Sequence, residues 1–173
     1  MDITTRLAQR LLGTPLIRNS IRGELVEEMV AVALEPEWGL CGGDWGACDL
    51  KQVDGLLRIQ VKQSAARQSW HGDASPPPRP TFSIATKTGR YEGPTWIPEP
   101  GRNAEIFIFA WHPVTDATAD HRDPAQWLFF VVAERVLPTQ KTISLSALRP
   151  LTDPVPFADL RRQVEALARA LVS

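Results

Sequence analysis

The sequence predicts a single α/β domain spanning residues 1–173, and three patterns predict it. Residues 105–111 and 127–133 are almost continuously apolar and rich in aromatic and β-branched side chains, the pattern of strands covered on both faces. Both ends of the chain carry apolar residues at helical spacing. Residues 56–62 alternate, with Leu57, Ile59 and Val61 on one face and Arg58, Gln60 and Lys62 on the other. One face of that strand is expected to pack against a core, which leaves the other for chemistry.

At 173 residues the chain is long enough to bury a core without disulfides or structural metals. A hydrophobic fraction of 43% with 23% charged residues is that of a soluble globular protein, and no apolar run reaches the length of a membrane span. Residues 1–10 mix acids and bases and lack an apolar signal core, so a cytoplasmic protein without a membrane partner is expected.

The elements follow in order. A first amphipathic helix is expected over residues 3–12, ended by Gly13 and Pro15. A second is expected from Ser20, as N-cap, to Leu34, closed by Pro36. Gly39, Gly42, Gly43 and Gly46 make a turn-rich stretch leading to a strand at residues 47–53, and Asp54-Gly55 turns the chain into the alternating strand. Residues 63–102 hold many prolines, with one short strand expected at 82–86; excursions of this length in a compact domain are usually functional or mobile. Residues 105–111 and 127–133 should be the central strands, separated by a polar loop at 116–124. Residues 144–148 read as one helical turn. Pro154 and Pro156 precede a last helix whose stripe is Phe157, Leu160, Val164, Leu167 and Leu171.

A net charge of −1 does not advertise nucleic-acid binding, but its distribution is uneven. From Arg58 to Arg90 there are six basic residues (Arg58, Lys62, Arg67, Arg79, Lys87 and Arg90) against the single acid Asp73, so the remainder of the chain must sum to −6. Trp70, Phe82 and Tyr91 are interleaved with these cations, as along a nucleic-acid groove; a solvated loop would carry the same charges without that role. Cys41 and Cys48, seven residues apart, match no zinc or redox motif and read as small core residues. His71, His112 and His121 are too far apart in sequence to form a local metal box and read as loop or structural histidines.

Asp49 stands eleven residues before Gln60, on the strand that the hairpin turn joins to the alternating one. Side chains 60 and 62 point the same way, so Gln60 can offer its carbonyl oxygen to a metal while Lys62 reaches an attacking water or a phosphate oxygen. The second helix supplies Glu24, Glu27 and Glu28. At about 100° per residue, Glu24, Glu28 and Glu35 fall on one solvated stripe. Glu27 is offset from it toward Gly23, Val30, Ala31 and Leu34, so it should point at the protein and need a partner, either a metal or an arginine. Ser64 and Gln68, just beyond Lys62, read equally as phosphate contacts or as local hydrogen-bonding caps.

The order Glu27, Asp49, Gln60, Lys62 on helix, strand and neighbouring strand resembles the PD-(D/E)XK restriction-endonuclease-like superfamily. The Gly23-x-x-x-Glu27 spacing is similar to the first helix of its resolvase-like branches. Val61-Lys62-Gln63-Ser64-Ala65 running on to Gln68-Ser69-Trp70, with Arg102-x-x-Glu105-Ile106-Phe107-Ile108-Phe109 and Gln126-Trp127-Leu128-Phe129-Phe130 downstream, resembles a group of small bacterial proteins in that superfamily. The resemblance covers most of residues 20–150. It implies a restriction-endonuclease-like αβββαβ core with a mixed central sheet flanked by helices, and hydrolysis of DNA phosphodiester bonds.

It also implies Mg2+ (or Mn2+) held by Glu27, Asp49 and Gln60, with Lys62 as the fourth catalytic residue. Arg58, Ser64, Arg67, Gln68, Lys87 and Arg90 would then contact the nucleic acid. A homodimer is expected where both duplex strands are cut. Two positions depart from the pattern: Cys48 stands where the motif has proline, and Gln60 where it has an acid. The second removes a negative charge from the metal site and leans harder on Glu27. A catalytically inactive nucleic-acid-binding domain on the same fold is the alternative, and a structural or protein-interaction domain ranks behind it.

Overall fold

The computed structural model of the chain describes residues 2–41, 47–70, 76 and 78–173. The glycine turn expected at Gly42, Gly43 and Gly46 lies outside the described residues, as do His71 and Asp73.

Helix α1 (Ile3–Leu12) is capped by Asp2, whose carboxylate accepts the Thr5 N–H at 2.9 Å. It buries none of its residues, and Ile3 and Leu7 are exposed. Helix α2 (Asn19–Leu34) starts one residue before the expected cap and turns Val26, Met29, Val30, Ala31 and Leu34 into the core. Strand β1 (Trp38–Leu40) was not expected; Trp38 is buried and brings the chain against β2 (Leu50–Gln52). Strand β2 is shorter than the expected 47–53, and β3 (Arg58–Ala65) starts two residues later and runs three residues farther than expected. Leu56, 88% exposed, belongs to the turn, which is closed by the Gln52 N–H donating to the Leu57 carbonyl at 3.0 Å.

The crossover carries β4 (Thr81–Ser83), β5 (Arg90–Glu92) and β6 (Thr95–Ile97). Both apolar segments form strands, β7 (Ile106–His112) and β8 (Leu128–Ala133). They are followed by β9 (Thr142–Ser144), the single turn α3 (Leu145–Leu148), β10 (Val155–Pro156) and α4 (Phe157–Val172). The central sheet has six strands in the order β1-β2-β3-β7-β8-β10. It is mixed: β3 and β7 run parallel and the other neighbours antiparallel. The α/β class with a mixed sheet flanked by helices is the one expected.

Strand parity decides the layers. Ile59 and Val61 of β3, Ile106, Ile108 and Ala110 of β7, and Phe129 and Val131 of β8 share one face, which α2 and α4 cover with Val26, Val30, Leu34, Leu160 and Val164. Phe107, Phe109, Trp111, Phe130 and Val132 take the opposite face. There Phe82 and Ile84 of the crossover pack with Ile143, Leu145 and Leu148, and β4 pairs with β9. A parallel pair needs a long crossover, which the αβββαβ pattern makes through a helix. Between β3 and β7 the described residues contain no helix. Pro76, Pro78, Pro80, Pro94, Pro98 and Pro100 punctuate this segment and each removes a backbone donor, so short strands cover the sheet in its place. Among the described residues no helix is long and apolar enough to cross a membrane.

Candidate active site

Asp49 is fixed by its own backbone before its side chain acts. Its N–H donates to the Ile59 carbonyl at 2.9 Å and its carbonyl accepts from Cys41 N–H at 2.8 Å, which ties it to both neighbouring strands. The β2–β3 register ends at Leu50 and Ile59. Beyond that point the Val61 N–H has no strand partner on this side, and Asp49 Oδ2 accepts it at 2.6 Å. The carboxylate stands in for a missing piece of strand.

Gln60 is buried and donates its side-chain N–H to the same Asp49 oxygen. Gln60 therefore turns its NH2 group toward Asp49. Asp49 Oδ1 makes no hydrogen bond among the described residues. Lys62, two residues on, is half-buried, and its ammonium group makes neither a hydrogen bond nor an ion pair among the described residues. Burial holds its pKa below the usual lysine value, against the pull of Asp49; Lys87 pushes the same way as burial, and Glu27 opposes it.

Glu27 points inward as its helical offset requires, half-buried while Glu24, Glu28 and Glu35 are exposed. Burial lifts its carboxyl to about 7, with repulsion from Asp49 and then Glu24 adding to the rise and Lys62 opposing it. Asp49 is raised too, first by burial, against Lys62, the Val61 N–H and the Gln60 amide. Two carboxylates resisting ionisation beside a lysine form a site whose charge balance favours a cation between the acids.

That donor set fits Mg2+ or Mn2+, which take one or two carboxylates and complete their shell with water and phosphate. Among the described residues no three His, Cys, Asp or Glu side chains gather at one point, so Glu27 and Asp49 would have to hold the ion with neutral oxygens.

Among solved structures, this chain is similar to the bacterial homing endonuclease I-Ssp6803I. The likeness has a TM-score of 0.42 at 20% identity and covers 73% of this chain and 77% of that one. No family model matches the chain, and no curated protein matches it.

The other predicted residues separate into groups. Lys87 is close enough to act electrostatically on Asp49 and Lys62. Ser64 lies on the same strand parity as Gln60 and Lys62, and Arg67 is half-buried after the strand. Arg58 belongs elsewhere: it pairs with Glu105 at 2.8 Å and Glu99 at 3.3 Å, and Arg90 also pairs with Glu99. Gln68 is buried, accepting from Arg22 Nη1 at 2.9 Å and donating to the Ala65 carbonyl at 2.7 Å, so both ends of its amide are engaged internally. Trp70 is 65% exposed.

The sequence reading missed Arg22. It stands on α2, the helix that carries Glu27, and its buried guanidinium bonds three neutral amide oxygens, on Gln63, Gln68 and Asn19. Its partners lie up to 46 residues away, and no local pattern marks them. Of the two cysteines expected as small core residues, Cys48 is buried and Cys41 half-buried, and their sulfurs are 2.7 Å apart.

Proposed function

We propose that this protein is a metal-dependent DNA endonuclease hydrolysing phosphodiester bonds, with Glu27, Asp49, Gln60 and Lys62 as its catalytic residues. The observation that carries the reading is Lys62, a half-buried cation without a hydrogen-bond or ion-pair partner among the described residues, facing two carboxylates whose pKa values are raised. A desolvated lysine in that position lacks an acceptor, and a phosphate oxygen is one.

Glu27 and Asp49 would hold Mg2+ or Mn2+, which supplies Lewis-acid stabilisation of the phosphate and a more acidic water. Lys62 donates to a non-bridging phosphate oxygen or orients the attacking water. Gln60 and the Val61 N–H anchor one oxygen of Asp49, which leaves Oδ1 for the ion. A homodimer would bring a second site to the opposite strand of a duplex.

A catalytically inactive DNA-binding domain is the second reading. It is favoured by Gln60, an amide donor where the resembling superfamily carries an acid. Magnesium separates the two. Purified protein should nick or cut duplex, branched or single-stranded DNA only with Mg2+ or Mn2+, and Lys62→Ala should lose cleavage by at least about a hundredfold while keeping its fold. Salt-sensitive DNA binding without turnover in either ion would establish the second reading, and retained cleavage in both Asp49→Ala and Lys62→Ala would move the site.

A further inference from the structure

On the face of β3 that carries Gln60 and Lys62, the crossover borders an open cavity of about 70 Å³, lined by these two residues with Ser83, Lys87, Arg102, Asn103 and Phe107. That is room for a small polar group. Its charges are unbalanced. Neither the Lys62 nor the Lys87 ammonium group has a hydrogen-bond or ion-pair partner among the described residues. Asn103 is buried at 5% exposure, and among the described residues its amide N–H reaches only the Gly89 carbonyl at 3.5 Å, the outer limit of a hydrogen bond.

These groups are held in place. Lys87 and Gly101 exchange backbone hydrogen bonds of 2.7 and 2.9 Å, which closes the crossover on itself and presents Lys87 opposite β3. Gly101 sits at a φ of 134°, a conformation side chains disfavour, so the reversal needs glycine there. Arg102 does not join the cavity's free donors. Its guanidinium bonds the carbonyls of Ile84 and Pro138 and pairs with Glu134 at 3.1 Å, locking the crossover to the end of β8.

We propose that this cavity is a binding site for one phosphate group, in which Lys87 and Asn103 on the crossover complete a cradle begun by Gln60 and Lys62 on β3. Asp49 and Glu27 act on Lys62 from outside the cavity, whereas the described lining carries the cations Lys62, Lys87 and Arg102 and no carboxylate. The phosphate can be a phosphodiester of a nucleic-acid strand or a free phosphate group. The strand as source rests on the nuclease reading; the cavity's preference for phosphate does not. Lys87 and Asn103 are positioning residues that set where the phosphate lies relative to Lys62.

The test measures inorganic phosphate binding to the full chain by calorimetry in metal-free buffer, against chloride at equal ionic strength. It compares wild type with Lys87→Ala, Asn103→Ala and the control Lys51→Ala, an exposed side chain of β2. Binding weakened about tenfold or more in Lys87→Ala and unchanged in Lys51→Ala is expected. Lys87 is exposed, so its truncation leaves the core intact; Asn103→Ala is interpreted only alongside an unchanged circular dichroism spectrum. Competition between phosphate and a fluorescent single-stranded oligonucleotide supports a strand phosphate as occupant, and phosphate binding without competition supports a free phosphate group. Wild-type affinity no better than for chloride, or equal affinity in Lys87→Ala, overturns the proposal. Absent DNA cleavage with phosphate binding intact removes only the nuclease reading; cleavage with Lys87-independent phosphate binding removes only this one.

Discussion

The side-chain amide of Gln60 donates to Oδ2 of Asp49, the same oxygen that accepts the Val61 backbone N–H at 2.6 Å. Replacing that amide with a carboxylate turns a donor into a second negative charge. Gln60→Glu should therefore cost about 1–3 kcal/mol of stability at pH 7 in chelator, read as a lowered urea midpoint. Saturating Mg2+ should recover most of the loss, and cleavage should rise. Equal stability of the two proteins in chelator would mean that this bond does not hold Asp49.

Glu27 predicts the pH dependence of the metal-free protein. Its folded carboxyl titrates near 7 against an ordinary value of 4.5, so the folded state disfavours the ionised form. The cost is absent below the ordinary value, grows as pH rises, and is complete above about 7. Glu27→Gln should leave stability unchanged at pH 4 and raise it at pH 8 by on the order of 1–2 kcal/mol, less than the full shift because the side chain is only half-buried. Added Mg2+ should raise the melting temperature of wild type more than that of Glu27→Gln. Equal metal responses would remove Glu27 from the ligand set.

His121 gives the opposite trend. Burial first, then the Arg22 charge and then His112, hold its imidazole down to about 4. Its ring is fixed neutral, accepting the Ile17 N–H at 3.0 Å through Nδ1 and lying 3.0 Å from the Arg67 carbonyl through Nε2. The native state keeps His121 neutral while the unfolded chain protonates below 6.5. Its contribution is thus complete above 6.5 and is lost as pH falls toward 4, by up to roughly 3 kcal/mol. An NMR titration in which His121 gains its proton above pH 6 would contradict this.

Arg22 should be irreplaceable by lysine. Its Nε and two terminal nitrogens donate to Gln63 at 2.6 Å, Gln68 at 2.9 Å and Asn19 at 2.9 Å, and 1% of the residue is exposed. Burial lowers its pKa to about 10. A lysine ammonium is a point donor that cannot span three planar amides in this arrangement. Arg22→Lys should lose about 2–4 kcal/mol in chemical denaturation, and a loss below roughly 0.5 kcal/mol would show that the fork is dispensable.

Much of the scaffold was legible because its signals are local. The alternation along β3, the apolar runs of β7 and β8 and the stripe of α4 repeat over two to four residues, and each formed the expected element. The inward turn of Glu27 followed from helical geometry alone. The hairpin bounds shifted because Leu56 reads as a strand residue by composition yet lies in the turn, where pairing and not propensity decides.

The sequence by itself determined which side of β3 carries Gln60 and Lys62, because side chains alternate along any strand whatever lies around it. Tertiary structure alone decided what those side chains meet. The turn of Gln60 toward Asp49, the separation of Arg58 and Arg90 into a cluster with Glu99, the engagement of Gln68 with Arg22, and the approach of Lys87 and Asn103 to Lys62 all depend on register or on crossover packing. Those contacts join residues 9 to 46 positions apart. Propensities acting over a few residues cannot choose among such partners; the burial of a polar group, which must be matched by a donor or acceptor or else cost free energy, does.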